Sequence, residues 1–198
     1  MAWFRKAAPA EPLVLTMTGA KLGNRVLVLG LSDPALVASL AIKSGLTGRA
    51  CAVDADAAMI ARATAAVERE GALVEIVSAP WSALPYEAAA FDLVVIRGVL
   101  ATMADDERAR TLLEVYRVLR DGGRAIVIDD VPRGGIGARL GGRKIDPAYA
   151  EGGGVAALTR NGFVAARVLA EREGLRFTEG ARRGSPSAGA REMPSAVD

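Results

Sequence analysis

One stretch, Arg25 to Asp56, limits what this chain can become more than any other. It reads RVLVLGLSDPALVASLAIKSGLTGRACAVDAD. Arg25–Leu29 is an apolar run of the kind a strand buried on both faces shows. Gly30 ends it. Ser32 or Asp33 can cap the following helix, and Pro34 stands where a first-turn proline is tolerated. Ala35 to Lys43 carries the helix, and Gly45 and Gly48 stop it. Arg49–Val53 is a second apolar run with Asp54 just beyond. The order is β, α, β, which requires a parallel pair with the helix crossing over one face. Asp54 stands 24 residues after Gly30. That is close to the about 20 residues that separate a glycine turn from a ribose-binding acid in nucleoside-binding units of this kind.

Composition narrows the chemistry. The 198 residues suffice for one domain with a full core, and 51% hydrophobic against 24% charged content marks a globular chain. There is no histidine. Histidine acid–base catalysis, the Ser-His-Asp triad and histidine metal sites are therefore excluded, and no metal site is expected. Twenty-five basic against 23 acidic residues leave a net charge of +2, so no nucleic-acid partner is expected. No apolar run reaches the about 18 residues a membrane span needs. The single cysteine, Cys51, falls inside an expected buried strand, which fits a reducing compartment and a cytoplasmic location.

The rest of the chain repeats the alternation. Residues 1–12 read as a flexible lead-in carrying Trp3 and Phe4. Leu13 to Leu22 forms a short helix or turn. Asp56 caps a helix running to Glu70, with Met59, Ile60, Ala63 and Val67 on one face. Leu73–Val77 is a third strand, Ala79 to Ala90 a loop with Trp81, and Phe91–Ile96 a fourth strand. Asp105 to Leu119 is a helix, Asp121-Gly122-Gly123 a turn, and Arg124–Ile128 a fifth strand. Pro132 to Gly154 is glycine-rich, carries Arg133, Arg139, Arg143 and Lys144, and reads as a long loop or substrate lid. Tyr149 to Arg160 forms a helix interrupted at glycines 152–154. Phe163–Ala170 and Leu175–Glu179, joined by a short polar turn, form a hairpin. The domain spans 13–180, and 181–198 reads as a disordered tail.

Four segments carry a family resemblance: AVDADAAMIARA at 52–63, ALPYEAAAFDLVVIRGVL at 83–100, LLEVYRVLRDGGRAIVIDD at 112–130 and RNGFVAARVLAEREGLRFTEG at 160–180. Together with the βαβ unit they resemble the class I S-adenosylmethionine-dependent methyltransferases, in the branch of the ubiquinone methylases. The resemblance implies an α/β fold: a doubly wound, mostly parallel seven-stranded sheet with an antiparallel C-terminal hairpin. It implies S-adenosylmethionine as cofactor and methyl transfer to a small-molecule acceptor. Carried over by position, it places Gly30 and Ser32 at the glycine turn and Asp54 on the ribose. Ala55 and Asp56 then border the adenine, with Trp81 placed to stack on it, and Ile96 to Val99 border the reacting methyl group. Arg97, Asp129 and Tyr149 are the candidates for acceptor positioning and catalysis. Arg97, just after the fourth strand, has the fork to bind a carboxylate or phosphate.

The chain also departs from the family's first motif, with Val28 for its acid, Ser32 and Pro34 for its second and third glycines, and Pro80 for the acid after the third strand. These departures motivate a second reading, a cofactor-free domain that serves as a binding or scaffold subunit. That reading predicts a blocked crevice and a protein partner reached through the N-terminal aromatics or the glycine-rich loop. A nicotinamide oxidoreductase is the third reading. The turn keeps only the first glycine of its G-x-G-x-x-G, and the antiparallel ending favours the methyltransferase order.

Overall fold

The computed structural model describes residues 11–131 and 145–184. The elements, in order, are α1 (Leu13–Thr18), β1 (Arg25–Leu29), α2 (Pro34–Ser44), β2 (Arg49–Asp54), α3 (Ala57–Arg69), β3 (Glu75–Ser78), β4 (Phe91–Arg97), a 3₁₀ turn (Leu100–Thr102), α4 (Asp105–Val118), β5 (Leu119–Asp130), α5 (Pro147–Arg160), β6 (Val164–Arg172) and β7 (Leu175–Ala181). They build one seven-stranded sheet in the order β3-β2-β1-β4-β5-β7-β6. The first five strands pair in parallel and β7 runs antiparallel to both β5 and β6. This is the sheet expected from the sequence.

Helices on both faces follow from the side-chain alternation of the central strands. Val26 and Val28 point into a core with Leu36, Val37, Leu40, Ala63 and Val67, on the side of α2 and α3. Leu27 and Leu29 point the other way, into a core with Leu112, Val115, Leu158 and Phe163 on the side of α4 and α5. Asp33, not Ser32, caps α2 by accepting from the Leu36 N–H, and Pro34 is its first residue. Asp56 caps α3 through the N–H groups of Ala58 and Met59.

Three boundaries differ from expectation. β3 begins at Glu75 rather than Leu73, because pairing starts only where Cys51 meets Glu75, and Leu73 is left exposed. Asp121-Gly122-Gly123 is not a free turn but an irregularity inside β5. Phe91 pairs with Leu119 and Leu93 with Arg124, so β5 must fit extra residues between them. Backbone bonds between Gly122, Gly123 and Arg182 hold that bulge. Ordered chain therefore continues past Gly180: Arg182 also donates to the carbonyls of Tyr116 and Arg117. Residues 1–10 with Trp3 and Phe4, the basic cluster within 132–144 and the tail 185–198 lie outside the described residues. No described helix is long and apolar enough to cross a membrane.

Strand order turns back at β1: the chain moves outward to β2 and β3, then returns to place β4 on the other side. Such a switch point leaves a crevice at the carboxyl ends of the strands. Gly30, Asp54, Arg97 and Asp129 all stand at that end.

Candidate active site

The crevice holds two clefts. The first, of about 270 Å³, is lined by Gly30, Leu31, Ser32, Asp54, Asp56, Met59, Arg62, Trp81 and Val99. Gly30 has φ +83°. A Cβ there would sit 2.5 Å from the Arg97 carbonyl oxygen and 2.6 Å from Val99 Cγ1. The glycine is thus demanded first by the chain after β4, before any ligand arrives. Asp54 is buried, and its carboxylate stitches the turn: Oδ2 accepts the Leu31 N–H at 2.9 Å and Oδ1 the Asp56 N–H at 3.0 Å. Asp54 is therefore not a helix cap, a role left to Asp56. Trp81 is half-buried, with Nε1 donating to the Val53 carbonyl at 3.1 Å, so its ring stands as a fixed wall.

The second cleft, of about 230 Å³, is lined by Ala101, Asp129, Asp130, Val131, Ile145, Tyr149, Ala150, Gly153 and Arg176. Tyr149, from the first turn of α5, donates its hydroxyl to Asp129 Oδ2 at 2.6 Å. The other oxygen, Oδ1, is buried with no hydrogen-bond partner among the described residues. Burial pushes the Asp129 carboxyl above the usual carboxylate range, against the pull of the Tyr149 hydroxyl and of Arg176 and Arg97. Burial and the neighbouring Asp129 push the Tyr149 phenol well above its usual range, so it remains a donor.

The expected residues divide unevenly. Gly30, Ser32, Asp54 and Trp81 come together in the first cleft, and Asp129 and Tyr149 in the second. Of the stretch Ile96 to Val99, Ile96 lines neither cleft, being fully buried in the core with Leu29 and Val53, whereas Val99 lines the first. The inward side of a central parallel strand is core by construction. Ala55 is exposed and off the cleft wall. Arg97 does hold a carboxylate with both arms, at 3.0 Å each, but it is that of Asp130. Sequence reading missed Arg62, Arg108 and Arg176. Each looked like one more solvated arginine on an amphipathic element.

S-adenosylmethionine fits the first cleft by the chemistry of its wall. An aromatic side chain, Trp81, a carboxylate, Asp54, and an exposed hydroxyl, Ser32, surround the glycine turn. The blocked crevice required by the scaffold reading is not found, since the cleft is open and neither Pro34 nor Pro80 lines it.

A family model described as a methyltransferase domain matches residues 27–127, just over half of the chain. The chain belongs to that methyltransferase family, of the class I S-adenosylmethionine-dependent type. Among similar curated proteins, one named ubiquinone/menaquinone biosynthesis C-methyltransferase UbiE from an Enterobacter species is 32% identical over 114 residues. The UbiE of Hydrogenovibrio crunogenus is 31% identical over 117 residues. The match to the Enterobacter protein covers 57% of this chain and 45% of that relative, so the shared stretch is less than half of it. In structure, the chain resembles a SAM-dependent methyltransferase from Aquifex aeolicus, with TM-score 0.71 and 19% identity over 85% of this chain and 87% of that one. It also resembles the [4+2]-cyclase SpnF, with TM-score 0.64 and 16% identity over 87% and 79% of the two chains. At such identities the likeness is one of fold, and the reaction must be argued from the site.

Proposed function

We propose that this methyltransferase moves a methyl group from S-adenosylmethionine to a small-molecule acceptor held in the second cleft. One observation carries the reading: a single segment, residues 97–101, walls both clefts. Val99 lines the first and Ala101 the second. Gly98 sits between them, with φ +66°. A Cβ there would lie 3.7 Å from Ser32 Oγ on one side and 3.9 Å from Asp130 Oδ2 on the other. An acceptor beside Asp129 and a cofactor beside Ser32 would therefore approach across a residue with no side chain. The relatives named for ubiquinone and menaquinone biosynthesis support an acceptor of small-molecule type.

The cofactor supplies an electrophilic methyl group on a sulfonium. Bound in the first cleft, it would offer that methyl group for in-line displacement by the acceptor. Alignment matters more than acid–base strength, so the lack of histidine is tolerated. In our reading Asp54 and Trp81 hold the nucleoside. Asp129, with its carboxyl pushed up by burial, receives the proton that the acceptor sheds. Tyr149 keeps that carboxylate oriented through its hydroxyl.

Isothermal titration with S-adenosylmethionine and with its demethylated product tests the core of the reading. Saturable binding to the intact chain, weakened by Asp54→Ala, is expected. No heat at millimolar ligand would sink it.

A further inference from the structure

The second cleft is assembled around a residue that lines neither the cofactor cleft nor the cleft itself. Arg108 on α4 is 3% exposed. Its Nη1 donates to the carbonyls of Leu100 and Met103, at 3.1 and 3.0 Å. Its Nη2 donates to Asp105 and Asp146, both at 2.9 Å. Its guanidinium lies 5.0 Å from the centroid of the Tyr149 ring. Those partners belong to the 3₁₀ turn after β4, the start of α4 and the cap of α5. The first and last of these segments supply Ala101, Ile145, Tyr149 and Ala150 to the cleft.

We propose that Arg108 is a positioning residue for the acceptor cleft, setting the Tyr149 ring so that its hydroxyl meets Asp129. A buried guanidinium is costly, and a well-packed apolar side chain would often stabilise the same place as well or better. What an apolar residue cannot do is donate to four acceptors while holding a cation over a ring. The groups that face Asp129 are Tyr149 from α5, Arg97 from β4, Arg176 from β7 and Asp130 beside it on β5. Arg108 thus reaches Asp129 through Tyr149. Its bearing on turnover rests on the acceptor reading above; its positioning of Tyr149 does not.

The test follows the Asp129 carboxyl directly, by carbon NMR of the full chain across a pH titration. Tyr149→Phe removes the bond that pulls the Asp129 midpoint down, so that midpoint rises and sets the scale. Arg108→Met is expected to reproduce at least half of the rise, and Arg108→Lys a smaller part, since the charge returns without the planar fork. Asp146→Asn serves where Arg108→Met does not fold, because asparagine still caps α5 while the ion pair to Arg108 is lost. It is expected to move the midpoint in the same direction. The inference is overturned if Tyr149→Phe moves the midpoint while Arg108→Lys and Asp146→Asn leave it at the wild-type value. It is also overturned if these two variants lose more than about tenfold in affinity for S-adenosylhomocysteine, which would mark general damage rather than positioning. Failure of the wild-type chain to bind S-adenosylhomocysteine would defeat the proposed function and leave the carboxyl titration to decide the role of Arg108.

Discussion

The two clefts lie side by side along one sheet end, yet they are built on opposite terms. In the first cleft the carboxylates and the indole N–H are already spoken for. Asp54 accepts two backbone N–H groups, Asp56 caps α3, and Trp81 donates to Val53. In the second cleft a polar atom is left over: Asp129 Oδ1 is buried with no partner among the described residues. A saturated site is rigid before its ligand comes and binds with what remains exposed. An unsaturated site holds a desolvation cost that a ligand with a matching donor relieves.

The contrast breaks most visibly at two glycines, Gly30 in the first cleft and Gly98 in the segment between the clefts. Gly30→Ala forces a Cβ to 2.5 Å from a backbone carbonyl at positive φ. Strain and overpacking together should cost about 3 kcal/mol or more, read as a lower midpoint in urea. Gly98→Ala meets nothing closer than 3.7 Å. It should cost only the about 1–2 kcal/mol of the left-handed backbone, while crowding the passage between the clefts. Equal losses would mean that Gly30 is not wedged as described.

Asp54→Ala comes next. It removes a charged acceptor from the Leu31 and Asp56 N–H groups, and about 1.5–3 kcal/mol of stability should go with it, together with cofactor affinity. Unchanged titration calorimetry would show that the turn does not need its stitch.

Asp129 sharpens the comparison through pH. Its carboxyl is raised in the folded chain, chiefly by burial. A raised group adds stability that is fully present below the unfolded value and lost as pH rises through the folded one. Asp129→Asn should therefore stabilise the chain at neutral pH, and the gain should vanish in acid below the ordinary carboxylate range. A gain that is flat with pH, or largest in acid, would contradict the burial of an ionised Asp129.

The smallest effect is expected at Pro34→Gly, which restores a glycine the family motif has and this chain lacks. Proline as first residue of α2 loses no needed N–H, and Asp33 already caps the helix. The change should cost about 0.5–1 kcal/mol through the freer unfolded chain and leave cofactor affinity within a few-fold. A large gain in affinity would show that the altered turn is a defect.

Much of the fold was legible because it rests on period and punctuation. Apolar runs at Arg25–Leu29, Arg49–Val53 and Phe91–Ile96 can only be buried strands, and Asp33, Pro34 and Asp56 mark their helices. The Asp121-Gly122-Gly123 turn was misread because its partner, Arg182, stands sixty residues away and supplies the bonds that keep it in the sheet. Gly30, Asp54 and Trp81, singled out by their place in the βαβ order and in the family resemblance, line one cleft. Ile96 was misplaced because one step along a strand exchanges core for crevice. Arg108 left no readable trace, since a lone arginine three residues into a charged helix start resembles any solvated face.

The sequence by itself determined the alternation of strands and helices, the absence of histidine chemistry and the glycine-to-acid spacing of the first cleft. These are local properties, set by neighbours within a few residues or by composition. Only the tertiary structure decided that Asp54 stitches the turn, that Arg97 spends its fork on Asp130 and that Tyr149 meets Asp129 under a buried Arg108. Each of those is a contact between strand ends or helices far apart in the chain, and its energy depends on burial and direction, which no linear pattern encodes.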